Sequence, residues 1–305
     1  KRGSQMELNM FDVEATSTVD GLQISSATHR ETSRKVTLLI TKKASFAPPV
    51  PQLLKHRTIV TFLDNDYLVL VLPRGTVSPA HESSLHSSPH AVAYVLLQVI
   101  STLKALQSAG VEEVEACSQK CWLVEWEAMR PQLVYLHQGD FNEEASSERV
   151  TLCQYVKNII LQLLHYQVES DVVLHATSNT AIFAILSSVL AEEKASSLSQ
   201  AKRLLEYFLW APWDLLKANW PVELERHLQR WLDIQRAEVW KRFAKGLESE
   251  GMPCSVYLEH KLCFLVNGSG KVLKDVSLFS CLNFSYSCWY VTLRCRLRLL
   301  SALMS

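Results

Sequence analysis

Apolar positions recur at helical spacing through residues 198–245, and this stretch holds five of the chain's eight tryptophans. In its last part Leu224, Leu228, Trp231, Leu232, Val239 and Phe243 fall on one face of a helix. Asn219 is a cap candidate, Pro221 suits a first turn, and Glu223 and Glu225 favour the positive end of the helix dipole. Lys241, Arg242 and Lys245 suit the last turns, and Gly246 is the predicted stop. Ile234 and Trp240 fall off the stripe. One packed face does not account for them, so a second contact surface is expected, from a domain neighbour or a second copy. Before this helix, Leu204, Leu205, Phe208 and Leu209 recur at helical spacing until Trp210-Ala211-Pro212-Trp213 breaks the run, because proline cannot continue a helix interior. Two readings of the stretch stay open: the edge of a helical core, or a partner surface.

The pattern upstream is mixed. Residues 1–34 are polar and rich in serine and threonine and read as a poorly ordered lead-in, with a short strand or helix over 6–13. Residues 35–42 read as a strand by β-branched content, and Pro48, Pro49 and Pro51 mark a break after it. Residues 58–62 and 67–72 read as two strands about the turn Asp64-Asn65-Asp66. After a serine- and histidine-rich loop, Pro89 opens a helix over 90–109, with Val92, Val95, Leu96, Val99, Leu103 and Leu106 as its stripe and Gly110 as its stop. Two strand-like runs come next, 121–126 and 133–137, then a nearly all-apolar helix over 150–166 and another over 179–191, capped by Thr177-Ser178-Asn179. Strands first, then a long helix, a short strand pair and only helices make an α+β pattern: a sheet-rich lobe and a larger helical lobe.

Composition narrows the function. The chain has 31 basic and 31 acidic residues, so a nucleic-acid partner is not expected. Eight cysteines lie scattered without a framework, and the opening Lys1-Arg2-Gly3-Ser4-Gln5 is no secretory signal, so reduced thiols in the cytosol are expected, with sequence continuing upstream. Cys117 and Cys121 lack a second ligand pair at finger spacing, and no metal or cofactor is expected. Residues 276–293 are uncharged and apolar-rich and precede Arg294, Arg296 and Arg298. Their length approaches a membrane span, but Asn283 and several serines favour a strand pair or a poorly packed tail over 251–305.

The order of elements resembles that of a protein kinase. The helix ending Leu103-Lys104-Ala105-Leu106-Gln107-Ser108-Ala109-Gly110-Val111 resembles the kinase helix before the catalytic loop. Residues 205–212 (LEYFLWAP) with 228–241 (LQRWLDIQRAEVWK) resemble the helical signature of the PEAK/Pragmin pseudokinase scaffolds, and the chain is most similar to the short third member of that family. The resemblance implies a two-lobe kinase-like fold, with 35–75 as the small lobe, 76–195 as the large lobe and 196–250 as a helical dimerisation appendix. It also implies a homodimer, or a heterodimer with related pseudokinases, that recruits SH2 and SH3 adaptors and acts on the actin cytoskeleton and cell motility from the cytoplasm or focal adhesions. The interface residues carried over are Leu204, Phe208, Trp210, Trp213, Leu228, Trp231, Leu232 and Trp240. The family also uses a helix before the kinase-like domain, and 1–34 shows no equivalent.

Kinase chemistry needs a phosphate-cradling glycine loop, a lysine with a glutamate partner, a catalytic base and metal-holding acids. Gly21 stands alone, and Lys42 or Lys43 has no helix-borne glutamate between residues 43 and 58. His29-Arg30-Glu31 resembles a catalytic-loop tripeptide but precedes the strands that such a loop must follow. Residues 110–120 contain no His-Arg-Asp run. Gly139-Asp140-Phe141 echoes the metal-binding Asp-Phe-Gly, with Asn142 where the glycine belongs; Asp140 and Phe141 are thus a degenerate metal-motif position. A catalytically inactive scaffold is expected. The alternatives are a weakly active nucleotide-binding kinase and a membrane-anchored protein using 276–293.

Overall fold

The computed structural model describes residues 8–19, 22–42, 60–64, 67–73, 75–79, 88–115, 121–125, 131–136, 148–164, 181–212, 214–215, 223–248 and 256–275. The chain is mixed α+β and divides into two compact units, Lys1–Tyr166 and Gln167–Ser305.

The first unit carries an antiparallel sheet of five strands in the order β1-β2-β3-β5-β4: β1 (Phe11–Val19), β2 (Leu22–His29), β3 (Lys35–Lys42), β4 (Val60–Asp64) and β5 (Tyr67–Pro73). Side chains alternate between faces, and the register aligns Leu38 with Val71 and Leu39 with Leu70. Phe11, Ala27, Leu38, Ile40, Val69 and Val71 form one buried cluster, against which Leu8, Met10 and Val36 pack. Leu39, Leu70 and Leu72 on the other face are buried as well, so β3 and β5 are covered on both sides. That explains why both strands read as near-continuous apolar runs.

Residues 11–29 are not an unpacked lead-in: they form a hairpin that extends the sheet. The few apolar side chains concealed it. Beside the buried Phe11, Leu22 and Ala27, polar contacts join it: Thr28 Oγ1 donates to Glu14 Oε1 (2.8 Å), Arg30 Nε donates to Asp12 Oδ1 (2.8 Å), and the Thr16 and Ser25 hydroxyls meet at 3.0 Å. Asp20-Gly21, between the paired Val19 and Leu22, is a two-residue turn signal that was present in the sequence.

Helix α1 (Pro89–Ser108) carries the core of the rest of this unit. The Ser88 hydroxyl accepts from Ala91 N (3.3 Å), Pro89 occupies the first turn, and Gly110 at φ +86° follows the helix. By length and composition α1 could cross a membrane, but most of it is buried inside the unit. Buried Gln98 ties it to the strand Gln132–Leu136: Nε2 donates to Pro131 O (3.1 Å), and Leu133 N donates to Oε1 (3.0 Å). Two short antiparallel sheets complete the strand pairing. One pairs β7 (Glu113–Glu115) with β10 (Arg149–Thr151), and the other orders β6 (Thr76–Pro79), β8 (Cys121–Glu125) and β9 (Gln132–Leu136) as β6-β8-β9. The apolar pattern predicts β8 and β9 but not β6, β7 or β10. Helix α2 (Leu152–Leu163) starts at the Thr151 cap, shorter than the 150–166 expected.

The second unit is helical among the described residues: α3 (Ala181–Ala191), α4 (Ser197–Trp210), α5 (Leu224–Glu248), α6 (Val256–Asn267) and a short helix over 270–275. Helix α5 passes the expected stop at Gly246, whereas Asn219, Pro221 and the Thr177-Ser178-Asn179 cap lie outside the described residues. The expectation of a poorly packed tail from residue 251 fails over 256–275. There Phe264, Leu265 and Leu273 are buried, and α6 packs on both α5 and α4. Residues 276–293 lie outside the described residues.

Candidate interaction surface

Helix α5 presents two sides. Leu228, Leu232 and Val239 are buried and lie within about 40° of one another around the axis. Residues 256–275 cover this side. Arg236 Nε donates to Leu265 O (2.9 Å) and Nη2 to Gly268 O (2.7 Å), so a cation caps the carbonyl end of α6. Gly270 N donates to Gln229 Oε1 (3.0 Å), and Lys261 Nζ donates to Gln235 Oε1 (2.8 Å). Gly270 lies so close to α5 that a β-carbon there would fall against the Glu225 carbonyl oxygen.

The other side of α5 is uncovered. Ile234 is 51% exposed and Trp240 67% exposed, the highest value among the exposed large hydrophobics. Ala237 and Ala244 are exposed with them. Spacings of three, three and four residues align 234, 237, 240 and 244 into a stripe. Asp233 and Lys241 flank it, both exposed. The carboxylate of Asp233 is held from its own helix by Arg236 Nη1 (2.9 Å) and Gln229 Nε2 (3.1 Å).

The expected interface residues separate into three groups. Leu204, Trp210, Leu228 and Leu232 are buried by their own chain. Trp210, at the end of α4, packs on α6 with ring centroids 5.6 Å from both Tyr257 and Phe264; the Tyr257 contact is edge-on. Phe208 and Trp231 are half-buried. Of the seven that are described, Trp240 alone is exposed, and Trp213 lies outside the described residues. Sequence reasoning missed Gln229, Arg236, Lys261 and Gly270, although Asn267-Gly268-Ser269-Gly270 after an apolar run carried a helix-end signal.

Where described, the residues weighed for kinase chemistry fall on separate elements. Lys42 ends β3, and Glu113–Glu115 of the catalytic-loop region pairs with β10. His29-Arg30-Glu31 makes the turn after β2. Lys43, Asp140 and Phe141 lie outside the described residues. Among the described residues no group of three or more His, Cys, Asp or Glu side chains converges as a metal site. No family model matches the chain, and no curated protein matches it.

Proposed function

We propose that the chain is a catalytically inactive, protein-kinase-like scaffold that self-associates through α5 and assembles signalling adaptors. The observation that carries self-association is the stripe Ile234, Ala237, Trp240 and Ala244, open to solvent opposite a face that the chain covers itself. Isolated exposed apolar residues are ordinary, but an aligned stripe with a tryptophan at its middle marks a contact surface. A second copy fits it. Two α5 helices crossing antiparallel about Ala237 set each Ile234 against the other copy's Trp240, and each Asp233 against the other copy's Lys241. The small side chain at the crossing permits close approach, and tryptophan is the side chain most enriched among binding hot spots.

The kinase-like part of the reading is supported by the order of elements: an antiparallel five-stranded sheet, a long buried helix, short strand pairs, then helices. The scaffold role, SH2/SH3 adaptors, cytoskeletal action and cytoplasmic location come from the resemblance of 205–212 and 228–241 to the PEAK/Pragmin pseudokinases. The inactive reading rests on the missing glycine loop and His-Arg-Asp run.

Sedimentation of the whole chain over a concentration series tests self-association. Wild type self-associates, while Trp240→Ala and Ala237→Lys each weaken that association at an unchanged melting temperature. Unchanged dimer mass in both variants refutes the α5 assignment. Titration with ATP and magnesium tests inactivity, because a ligand that binds the native state raises the melting temperature. A magnesium-dependent rise together with phosphorylation of a substrate overturns the inactive reading.

A further inference from the structure

Strand β1 ends the five-stranded sheet, and residues 12–18 are exposed without a break on both of its faces. Its outer edge is not paired with any other strand among the described residues. Such an edge offers a row of backbone donors and acceptors to another extended chain, and proteins usually guard it with lysine, proline or free charge. β1 reads Phe-Asp-Val-Glu-Ala-Thr-Ser-Thr-Val, with no lysine, arginine or proline. Its two acids are engaged within the sheet, Asp12 by Arg30 and Glu14 by Thr28. The one guard present is a bulge between Val13 and Ala15.

We propose that β1 is a second self-association edge, pairing antiparallel with β1 of another copy about Ala15. Charge favours this register over those centred nearer the two acids. Pairing about Ala15 sets Asp12 opposite Thr18 and Glu14 opposite Thr16, so every acid faces a hydroxyl, while Val13 meets Ser17 and Phe11 meets Val19 at the flanks. Pairing about Glu14 sets two glutamates face to face, and pairing about Val13 sets Asp12 against Glu14. Parallel in-register pairing stacks both acids on themselves. Like charges directly opposite are destabilising in a sheet, whereas acid–hydroxyl and small–small pairs are tolerated. Acids on the N-terminal side of Ala15 and threonines on its C-terminal side make the strand self-complementary, as a two-fold axis requires of an isologous contact. This edge belongs to the first unit and is independent of the α5 stripe, which belongs to the second.

The test uses the whole chain in a Trp240→Ala background, so that the α5 stripe does not contribute. That variant is expected to keep a weaker, concentration-dependent association in sedimentation. Adding Thr16→Glu, which faces Glu14 of the other copy, raises the dissociation constant by about tenfold. Adding Thr16→Glu together with Glu14→Lys restores it, because each new carboxylate then faces an ammonium. Independently, Ala15→Cys in the same background yields a cross-link between the two residues 15 on mild oxidation, mapped by peptide mass, whereas Thr18→Cys does not. A background variant that stays monomeric throughout the series, Thr16→Glu without effect, or equal cross-linking at positions 15 and 18 overturns the proposal. If Trp240→Ala leaves the dimer intact and Thr16→Glu dissolves it, the α5 reading fails and the β1 proposal stands.

Discussion

Arg236 of α5 donates to the carbonyl of Leu265 at 2.9 Å, and the same guanidinium reaches Gly268 O at 2.7 Å. One side chain thus satisfies carbonyls at the end of α6 that have no partner in their own helix, and it places positive charge at the negative end of that helix. Arg236→Ala is expected to destabilise the second unit by about 1.5–3 kcal/mol, the range for a charged hydrogen-bond partner. Arg236→Lys should recover only part of the loss, because an ammonium lacks the planar fork that spans two carbonyls. Urea unfolding of the three proteins, followed by tryptophan fluorescence, checks the order.

Gly270 and Gly268 should respond differently to alanine. A β-carbon at Gly270 meets the backbone of α5 at Glu225 and Gln229, neither of which can rotate away. At Gly268 the nearest atom is Phe264 O at 3.2 Å, within reach of a small adjustment. Gly270→Ala is therefore expected to lower the melting temperature by several degrees, on the order of the effect of 1–3 kcal/mol of overpacking. Gly268→Ala should have the smaller effect. Equal melting temperatures for both variants would place residues 270–275 away from α5.

Gln98 makes its hydrogen bonds inside the first unit, to Tyr94 O, Pro131 O and Leu133 N, and is 2% exposed. Gln98→Leu keeps the volume but strands two backbone groups of the β8–β9 region, at about 1–3 kcal/mol for each unsatisfied group. Gln98→Ala adds a cavity to that loss. Both variants should unfold earlier than wild type, the alanine variant first, in thermal denaturation followed by circular dichroism.

Trp240 and Leu232 lie about 80° apart around α5, one open and one buried, and should separate association from stability. Leu232 is fully buried, and Leu232→Ala is expected to cost about 2–5 kcal/mol of folding free energy. Trp240→Ala should leave the unfolding midpoint within about 0.5 kcal/mol of wild type, as for a surface substitution, while weakening self-association. Trp231, half-buried, should show some of each effect. A Trp240→Ala protein that is destabilised as much as Leu232→Ala would mean that the indole packs inside its own chain. Paired measurements of sedimentation and chemical unfolding distinguish the two.

Elements with a strong local signal were legible in the residues themselves. Helix α1 combined Ser88, Pro89, a wide apolar stripe and Gly110, each acting over a few residues, and its observed bounds differ from the expected ones by one residue at each end. β3 and β5 were legible because central strands need apolar side chains on both faces. The β1–β2 hairpin was misread because threonine, serine and carboxylate side chains that satisfy one another across strands resemble a solvated segment. Helix α6 was misread because its apolar positions merged with the apolar run after residue 275.

The one-dimensional pattern determined that α5 is a helix with a buried stripe and that Ile234 and Trp240 stand off it, since helical periodicity alone places a residue on or off a face. It could not determine which other aromatic side chains are covered. Trp210 and Trp240 carry the same side chain, each on a helix. Trp210 is enclosed because Tyr257 and Phe264 of α6 pack on it, and Trp240 is open because no described element of its own unit lies over that side of α5. Burial is a property of what lies across from a residue, and the partner here comes from a segment far along the chain, so only the tertiary structure decides it.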